Sequence, residues 1–314
     1  MASHYILLTI MGLLGVIAAS DIVVNSAQKI ARNLKLSELV IGLTVTAIGT
    51  NLPEIFTTVA AALNNLHGIE SSGLAMGNIV GSCTANITII LGICGIFGIF
   101  FFKRTSLIRD STAMFFSAAF VIFLSLDGVI SKIEGVILIM IYGGYILFML
   151  EREKITKVEV EYPKSNTFLN LILIAIGIAG LIFFADIMVD FGVLVASQFQ
   201  VPESLIGILI GLGTSMPELA VSLAAIIRKS GMLSIGNLIG SNISDTLLAL
   251  GIGAAISGFS VARSVVLYDM VFWIASTAIV ILLLLNHLNL NKKESSVLLI
   301  IYILYLYLKV VYSL

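Results

Sequence analysis

The stretches GTNLPE at residues 49–54 and GTSMPE at residues 213–218 organise this sequence. Each places a proline and a glutamate inside a long apolar segment. In a bilayer, a broken helix and an ionised side chain are both costly, because no water is present to satisfy their polar groups. Since the same costly combination occurs twice, it predicts a functional centre rather than two chance kinks.

The composition is typical of a membrane protein. The 314 residues are 59% hydrophobic and 11% charged, with a mean hydropathy of +1.12, whereas soluble domains carry roughly 25% charged residues. Apolar runs long enough to span a bilayer recur along the chain, and they predict an all-α integral membrane protein with ten transmembrane helices. The first run is interpreted as a membrane helix and not as a signal peptide, since it lacks a basic flank and has a counterpart near residue 168. The predicted segments cover residues 5–31, 37–64, 72–102, 112–127, 133–150, 168–197, 203–228, 232–257, 264–286 and 295–313.

The sequence repeats itself on either side of a polar linker. The Pro-Glu stretch at 49–54 recurs at 213–218, and the stretch GNIVGS at 77–82 recurs as GNLIGS at 236–241. Five helices precede the linker and five follow it, so the second half enters the membrane from the opposite side. We therefore predict two inverted five-helix repeats, residues 1–150 and 168–314, joined by a linker at 151–167. Inverted repeats place a substrate site near the middle of the bilayer, at the seam between the halves.

The positions of lysine and arginine predict the orientation. With the N-terminus outside, fourteen of the 17 basic residues flank the cytoplasmic ends of the predicted helices and three flank the outer ends. This asymmetry satisfies the positive-inside rule. It predicts a multi-pass protein of the cell (plasma) membrane with both termini outside and the central linker in the cytoplasm. The net charge of −1 provides no basic surface for nucleic acid.

Each proline loosens the helix just before its glutamate. Pro53 has no N–H group for the carbonyl oxygen of Gly49, and its ring pushes that carbonyl away. Pro217 does the same in the second half. No lysine or arginine lies in the central part of any segment to neutralise Glu54 and Glu218, so a cation from solution is the predicted partner. The alternative is a plain proline kink whose glutamate pairs with a buried donor, and the duplication favours the cation.

The helices that follow carry oxygen-bearing side chains one turn apart. Ser82 and Asn86 share one face, and Ser241 and Asp245 share the matching face in the second half. Hard cations such as Ca²⁺ and Na⁺ prefer oxygen ligands, of which Ca²⁺ takes roughly six to eight. No cluster of cysteine and histidine favours zinc or copper. The GxxxG pairs in these helices predict close helix contacts, and the two cysteines are interpreted as small packing residues.

At these residues the chain resembles the cation/calcium exchanger superfamily, and within it the sodium/calcium exchanger branch. Residues 49–54 with 77–86 resemble the first family repeat, and residues 213–218 with 236–245 resemble the second. The resemblance implies that the two glutamates and nearby threonine carbonyls bind Ca²⁺, while the other oxygens line the Na⁺ sites. The metal-binding residues that it implies are Glu54, Glu218, Thr50, Thr214, Asn51, Ser215, Ser82, Asn86, Ser241, Asp245 and the backbone oxygen of Ala47.

Two features depart from the family pattern. Position 51 is asparagine, where the family commonly has serine, as at Ser215. An amide oxygen can still bind Na⁺, but the pocket is more crowded and its ion preference is open. The linker covers only positions 151–167, so the chain resembles the compact microbial members, which lack the regulatory domains of animal exchangers.

The resemblance implies antiport of Ca²⁺ against Na⁺ by alternating access, in which the first and sixth helices slide across a rigid core. Three buried carboxylates could balance three Na⁺. A three-for-one exchange moves one net charge per cycle and is electrogenic, worth roughly 2.3 kcal/mol per charge per 100 mV. The alternatives are a Ca²⁺/H⁺ antiporter and a K⁺-dependent Na⁺/Ca²⁺ exchanger. Asp21 and Asp186 lie on the sliding helices, where they serve either to guide ions or to stabilise the fold, and Asp190 is a weaker candidate.

Other classes of protein are disfavoured. An intramembrane protease would need a motif such as HExxH or GxGD, and neither occurs. A passive cation channel would need no counter-ion. We expect no enzymatic activity, no cofactor, no nucleic acid and no obligatory protein partner. The expected partners are the transported Ca²⁺ and Na⁺, with H⁺ or K⁺ as alternatives, and the lipid bilayer.

Overall fold

Long helices dominate the structure, a computed structural model that describes residues 2–34, 36–98, 100, 104–153, 166–198, 212–287 and 289–311. Two short strands accompany them. The elements are α1 (Ala2–Leu34), α2 (Glu38–Thr50), α3 (Leu52–Leu66), α4 (Ser72–Phe97), α5 (Arg104–Leu124), β1 (Val129–Ile130), α6 (Lys132–Glu153), α7 (Thr167–Gln198), α8 (Met216–Ile227), α9 (Gly231–Ser257), β2 (Phe259–Ser260), α10 (Val265–Asn286) and α11 (Lys292–Val311).

The described helices include seven that are long and apolar enough to cross a bilayer, or eight if α2 and α3 form one bent span. This confirms a helical membrane protein. The predicted segment 203–228 lies partly outside the described residues, where α8 supplies its last part. The count of ten spans and the division at 151–167 therefore stay predictions.

The Pro-Glu stretches break their helices in the same way. Asn51 ends α2 with φ −79° and ψ 5°, and Ser215 precedes α8 with φ −88° and ψ 7°. The axes of α2 and α3 meet at 46°. Pro53 and Pro217 both fall in the first turn of the following helix, where a missing N–H group costs no helical hydrogen bond. The predicted break is therefore present twice, at equivalent positions of the repeat.

The two most deeply buried spans are α4 and α9, which form the centre of the molecule. Both widen into a π-helical segment, at Asn86–Ile90 in α4 and at Asp245–Ala249 in α9. The two segments begin at matching positions after the Gly-Asn stretches. Local π-helical turns interrupt α-helices frequently at functional sites. The equivalent segments place the repeated oxygen-bearing side chains at the start of each bulge.

Two glycines let α9 approach α2 closely. A Cβ atom on Gly236 would lie 2.5 Å from the backbone oxygen of Leu39, and one on Gly240 would lie 2.7 Å from the Cα of Leu43. For Gly77 and Gly81, the equivalent atoms meet nothing within 4 Å among the described residues. By the repeat, the segment expected to pack against Gly77 and Gly81 is residues 203–211, which corresponds to the part of α2 that packs on α9. Residues 203–211 lie outside the described residues, so close packing there stays a prediction.

The long helices α1 and α7 pack along each other at the edge of the molecule. Their buried faces form a separate apolar cluster, which includes Val23, Ile178 and Leu181. Asp21 of α1 forms a two-pronged ion pair with Arg228, just after α8, with Nη2–Oδ2 and Nε–Oδ1 distances of 2.7 and 2.9 Å. This ion pair connects α1, at the edge of the molecule, to the end of α8.

One helix begins earlier than the apolar pattern predicts. The apolar segment starts at residue 112, but α5 starts at Arg104. The difference arises because Asp110 is fully buried against Arg109, with an Nε–Oδ1 distance of 2.6 Å, and also accepts a hydrogen bond from Tyr145 at 3.3 Å. A hydropathy pattern treats both charges as solvent-exposed and therefore places the helix start too late.

A small antiparallel ribbon joins the two halves at one end. Val129 of β1 lies opposite Ser260 of β2, and Ile130 lies opposite Phe259. The ribbon brings together the turn before α6 and the turn before α10. Sequence patterns did not predict it, because two-residue strands carry no periodicity.

Candidate cation site

Glu54 and Glu218 stand in the first turns of α3 and α8, directly after the two breaks. Both side chains are fully buried. A helix N-terminus favours negative charge, because its first N–H groups have no helical partners. This placement lowers the cost of the buried carboxylates but does not supply a counter-charge. Glu218 also lies within electrostatic reach of Glu54 and Asp245, so three acidic groups share one buried region.

Ser82 connects the acidic groups. Its Oγ lies 3.3 Å from Glu54 Oε1 and 3.2 Å from Asp245 Oδ2, and it accepts a hydrogen bond from Ser215 Oγ at 3.0 Å. Since a hydroxyl group carries one proton, Ser82 can donate to one of the two carboxylates at a time. The structure thus brings residues of both Pro-Glu stretches and both following helices to one serine.

Asn51 forms a second connection between the halves. Its Nδ2 donates to Asp245 Oδ1 at 2.6 Å and to the backbone oxygen of Ser241 at 2.9 Å. Asn51 and Asp245 are both fully buried. The break in the first half is thereby anchored to the π-helical segment of the second.

The threonines of the two Pro-Glu stretches bond across the halves in a reciprocal way. Thr50 Oγ1 donates to Asn237 Oδ1 at 3.4 Å, and Thr214 Oγ1 donates to Asn78 Oδ1 at 3.3 Å. Asn78 and Asn237 occupy the same place in the two Gly-Asn stretches. Each break is therefore held by the central helix of the other half.

Several buried oxygens have no hydrogen-bond donor among the described residues. A buried polar atom without a partner is costly and calls for an explanation, such as an ion that is not part of the structure. The Thr50 hydroxyl comes near Glu218, and its one proton can also go to Asn237 Oδ1 or to the Ala47 carbonyl. Oxygen atoms without donors are what a hard cation needs. Those that belong to the predicted site residues are Asn51 Oδ1, Glu54 Oε2, Asn86 Oδ1, both carboxylate oxygens of Glu218 and Ser241 Oγ.

The predicted site residues supply both carboxylate and neutral oxygens. Within the described residues, no three side chains of His, Cys, Asp and Glu converge as they do in a tight metal centre. Amides, hydroxyls and carbonyls supply most of the oxygens instead.

An open cleft of about 180 Å³ reaches the two breaks. Its lining includes Pro53, Thr214 and Pro217 from the two Pro-Glu stretches, and Asp186 and Asp190 from α7. Water-filled access to the breaks would therefore pass two exposed carboxylates. Asp21, by contrast, lies in the ion pair with Arg228 and not in this cleft.

The eleven predicted site residues differ in whether hydrogen bonds join them to one another. Asn51, Glu54, Ser82, Ser215, Ser241 and Asp245 form one hydrogen-bonded group with Glu218 in electrostatic reach. Asn86 stands apart from it, since its Nδ2 donates to Asn242 Oδ1 at 3.4 Å. The carbonyl oxygen of Ala47 accepts hydrogen bonds from the Asn51 N–H group at 3.0 Å and from Thr50 Oγ1 at 3.3 Å.

Sequence reasoning missed four neighbours of the site. Asn78 and Asn237 hold the threonines, Asn242 holds Asn86, and the Cys83 sulfur lies 3.9 Å from Asp245 Oδ2. The repeat of Asn78 as Asn237 was a signal that could have identified the first two. Cys83 is buried as predicted, but its thiol also touches the acidic group.

Comparison with known proteins identifies the family. The model of the family described as sodium/calcium exchanger protein matches residues 4–151 and 169–311. The chain belongs to this family. The sodium/calcium exchanger MaX1 of Methanosarcina acetivorans is 26% identical over 343 residues, with 96% of this chain and 97% of that protein covered. The membrane protein MJ0091 of Methanocaldococcus jannaschii is 34% identical, with 78% of this chain and 80% of that protein covered.

A solved exchanger structure matches nearly the whole chain. The structure of the sodium-calcium exchanger NCX_Mj, soaked with 10 mM Na⁺ and zero Ca²⁺, superposes with a TM-score of 0.82 at 29% identity. The match covers 97% of this chain and 98% of that chain. The predicted family is confirmed, and with it the class of function, a membrane antiporter of sodium and calcium rather than an enzyme.

Proposed function

We propose that this chain exchanges Ca²⁺ for Na⁺ by alternating access at the site between the two Pro-Glu stretches. The observation that carries the proposal is Glu218, whose fully buried carboxylate lies near two other carboxylates and forms no ion pair among the described residues. A buried carboxylate in that state needs a positive partner. Since the family transports Na⁺ and Ca²⁺, these ions are the natural partners.

The site offers enough oxygens for either ion. Glu54 and Glu218 supply two negative charges that one Ca²⁺ neutralises, with backbone oxygens of the breaks completing its shell. The hydroxyl and amide oxygens extend the site on either side for Na⁺. The residues proposed to line it are Ala47, Thr50, Asn51, Glu54, Ser82, Asn86, Thr214, Ser215, Glu218, Ser241 and Asp245. The electrogenic exchange that three carboxylates predict depends on whether Asp245 takes a cation.

Alternating access follows from an inverted repeat. In the proposed arrangement, residues 1–150 and 168–314 each contribute five membrane helices, and the linker 151–167 joins them. The equivalent breaks, the equivalent π-helical segments and the reciprocal threonine–asparagine bonds support this arrangement. The helices α1 and α7, which pack mainly on each other, are the proposed moving unit.

The proposed location is the plasma membrane, with both termini outside and the linker in the cytoplasm. The cleft beside Asp186 then opens to the outside, because α7 runs outward from Thr167. The ion pair of Asp21 with Arg228 then lies on the cytoplasmic side. The structure is therefore proposed to represent a state in which the site is open to the outside and the Asp21–Arg228 ion pair holds the cytoplasmic side closed.

The test is transport by the full chain in proteoliposomes. We expect radioactive Ca²⁺ to accumulate when an outward Na⁺ gradient is imposed, and not when a pH gradient is imposed alone. A third arm adds K⁺ to the Na⁺ gradient, and an absolute need for K⁺ would identify the K⁺-dependent alternative. Uptake on a pH gradient that is indifferent to Na⁺ would contradict the proposal in favour of Ca²⁺/H⁺ antiport. Glu218→Gln should strongly reduce uptake at low Ca²⁺ concentration, while the matched control Glu70→Gln, at an exposed loop, should keep it.

A further inference from the structure

Asn86 carries one of the buried oxygens of the site, yet its side chain bonds to a residue outside the predicted set. Its Nδ2 donates to Asn242 Oδ1 at 3.4 Å, and its Oδ1 has no hydrogen-bond donor among the described residues. Both side chains are fully buried. Asn86 begins the π-helical segment of α4, one turn after Ser82 on the same face. Since Ser82 contacts both Glu54 and Asp245, the Asn86 amide stands on the face of α4 that meets the carboxylates.

The orientation of the two amides is set from the far end, by Met114 of α5. Asn242 Nδ2 donates to Met114 Sδ at 3.5 Å. A thioether sulfur accepts a hydrogen bond weakly and has no hydrogen to donate, so the NH₂ end of Asn242 must face it. The oxygen of Asn242 then faces Asn86, and it can accept only from the NH₂ end of that amide. The sulfur thereby fixes the direction of two amides in series and leaves the Asn86 oxygen as the unpartnered end of the chain.

The direction of the Asn86 amide decides its effect on a cation. The oxygen is a ligand for Na⁺ or Ca²⁺, whereas the NH₂ group is a donor only and repels both ions. Rotation about the last side-chain bond exchanges the two ends, and the preference of asparagine at this bond is broad. Because the two ends have nearly the same size, packing alone does not distinguish them. A hydrogen bond has to keep the oxygen available to an ion.

The first half makes the same contact with a different pair of side chains. Cys83 stands where Asn242 stands, and its Sγ lies 3.9 Å from Oδ2 of Asp245, the counterpart of Asn86. Each residue that follows the repeated Gly-Ser step thus touches the oxygen-bearing residue of the other half. A carboxylate has an oxygen at both ends, so Asp245 offers a ligand whichever way it turns. An amide has one oxygen only, so Asn86 needs a directing partner and Asp245 does not.

We propose that Asn242 is a positioning residue, which with Met114 behind it keeps the Asn86 oxygen directed at transported Na⁺. This inference rests on the proposed Na⁺/Ca²⁺ exchange, in which Glu54 and Glu218 hold Ca²⁺ and the amide oxygens extend the site for Na⁺. Loss of the direction weakens Na⁺ binding selectively, while Ca²⁺ binding at the glutamates is unchanged.

The experiment measures Na⁺-driven uptake of radioactive Ca²⁺ into proteoliposomes that hold the full chain, with internal Na⁺ and external Ca²⁺ varied separately. Asn242→Leu keeps the branched shape and removes the amide. We expect it to raise the half-saturating Na⁺ concentration about 5-fold and to leave that of Ca²⁺ unchanged. Met114→Leu removes only the sulfur and should raise the Na⁺ value about 2-fold. Met149→Leu, at a buried methionine of α6, is the matched control and should change neither value.

A double-mutant cycle separates positioning from packing. Asn86→Ala should itself raise the half-saturating Na⁺ concentration, and Asn242→Leu should add no further increase in that background. An equal further increase would show that Asn242 acts through packing and would overturn the inference. An unchanged Na⁺ value in the Asn242→Leu variant, or an equal rise of the Ca²⁺ value, would overturn it as well.

If Asn242→Leu does not fold, Met114→Leu decides by the same criteria, alone and in the Asn86→Ala background. All these outcomes leave the proposed exchange intact. Absence of any Na⁺-driven Ca²⁺ uptake by the natural chain overturns the proposed function together with the inference.

Discussion

Glu54 and Glu218 occupy equivalent places in the two halves, yet their surroundings differ. Glu54 Oε1 lies 3.3 Å from the Ser82 hydroxyl, whereas no such hydrogen bond joins Glu218 to the equivalent Ser241 hydroxyl. The backbone around the two glutamates is nearly the same, as the angles at Asn51 and Ser215 show. The repeat therefore fixes where the ligands stand, and single side chains decide how each ligand is used.

The difference has a physical consequence for binding. A carboxylate that already accepts a hydrogen bond has part of its charge stabilised by the protein. One that lacks this serine contact depends more on the ion for its stabilisation. We infer that Glu218 contributes more to ion affinity than Glu54, although the repeat would assign them equal roles.

The largest expected effect comes from removing these charges. Truncating one partner of a buried charge pair costs about 2–5 kcal/mol, so Glu218→Gln should lower Ca²⁺ affinity about 30-fold or more. Glu54→Gln should also impair exchange, but less, because Ser82 can turn its hydroxyl to the new amide oxygen. Calcium-dependent Na⁺ efflux from proteoliposomes measures both. Equal losses in the two variants would show that the hydrogen bond to Ser82 makes no difference to binding.

A second asymmetry lies at the edge helices. Asp21 pairs with Arg228, but the position equivalent to Arg228 in the first half is Asn64, which offers Asp186 no charge. We expect Asp21→Asn to release the proposed cytoplasmic tie and to depopulate the state in which the cleft is open. A half-exposed ion pair contributes about 0.2–1 kcal/mol, which corresponds to a change of up to about 5-fold in the population of that state.

Chemical labelling can measure this population. Val189 lines the cleft, and a cysteine placed there by Val189→Cys should react more slowly with a water-soluble maleimide once Asp21→Asn is added. The two natural cysteines are buried and should stay silent. Lys229→Gln, next to Arg228, is the matched control. An unchanged labelling rate in the Asp21→Asn variant would exclude the ion pair as a tie.

The sequence predicted the parts of the site that depend on local pattern. Both helix breaks, the buried glutamates and the serine at position 82 follow from proline chemistry, apolar periodicity and repetition. The orientation of the Asn51 amide could not be predicted from the sequence, because it depends on which hydrogen-bond acceptors of α9 lie opposite it in the folded protein. The early start of α5 was missed because it also depends on a contact made only in the folded protein. In a hydropathy pattern, the buried Arg109–Asp110 pair looks like two surface charges.

Helix packing provides a third comparison of the halves. Alanine at Gly240 would press its Cβ onto the α2 backbone, and overpacking of this kind costs about 1–3 kcal/mol. If the repeat packs residues 203–211 against α4 in the same way, Gly81→Ala should destabilise the protein by a similar amount. Thermal unfolding in detergent compares the two variants. If Gly81→Ala left the unfolding temperature unchanged while Gly240→Ala lowered it, the two halves would pack differently.

The smallest expected effect concerns the loop between α3 and α4. Glu70 Oε1 accepts hydrogen bonds from the Ser72 N–H group at 3.1 Å and from the Ser260 hydroxyl at 3.0 Å. Hydrogen bonds from Ser72 and Ser260 lower the pKa of this exposed carboxyl below its ordinary value of 4.5. A group whose pKa is lowered by folding stabilises the protein above its unfolded pKa, and the contribution is lost as the pH falls through the folded value. Glu70→Gln should therefore unfold at a slightly lower temperature than the natural chain at neutral pH, with the difference vanishing in acid below pH 4.5. The second half has Arg228 and Lys229 in the equivalent loop, not a carboxyl. If the difference in unfolding temperature between Glu70→Gln and the natural chain persisted in acid, Glu70 would stabilise its loop through packing and not through its charge.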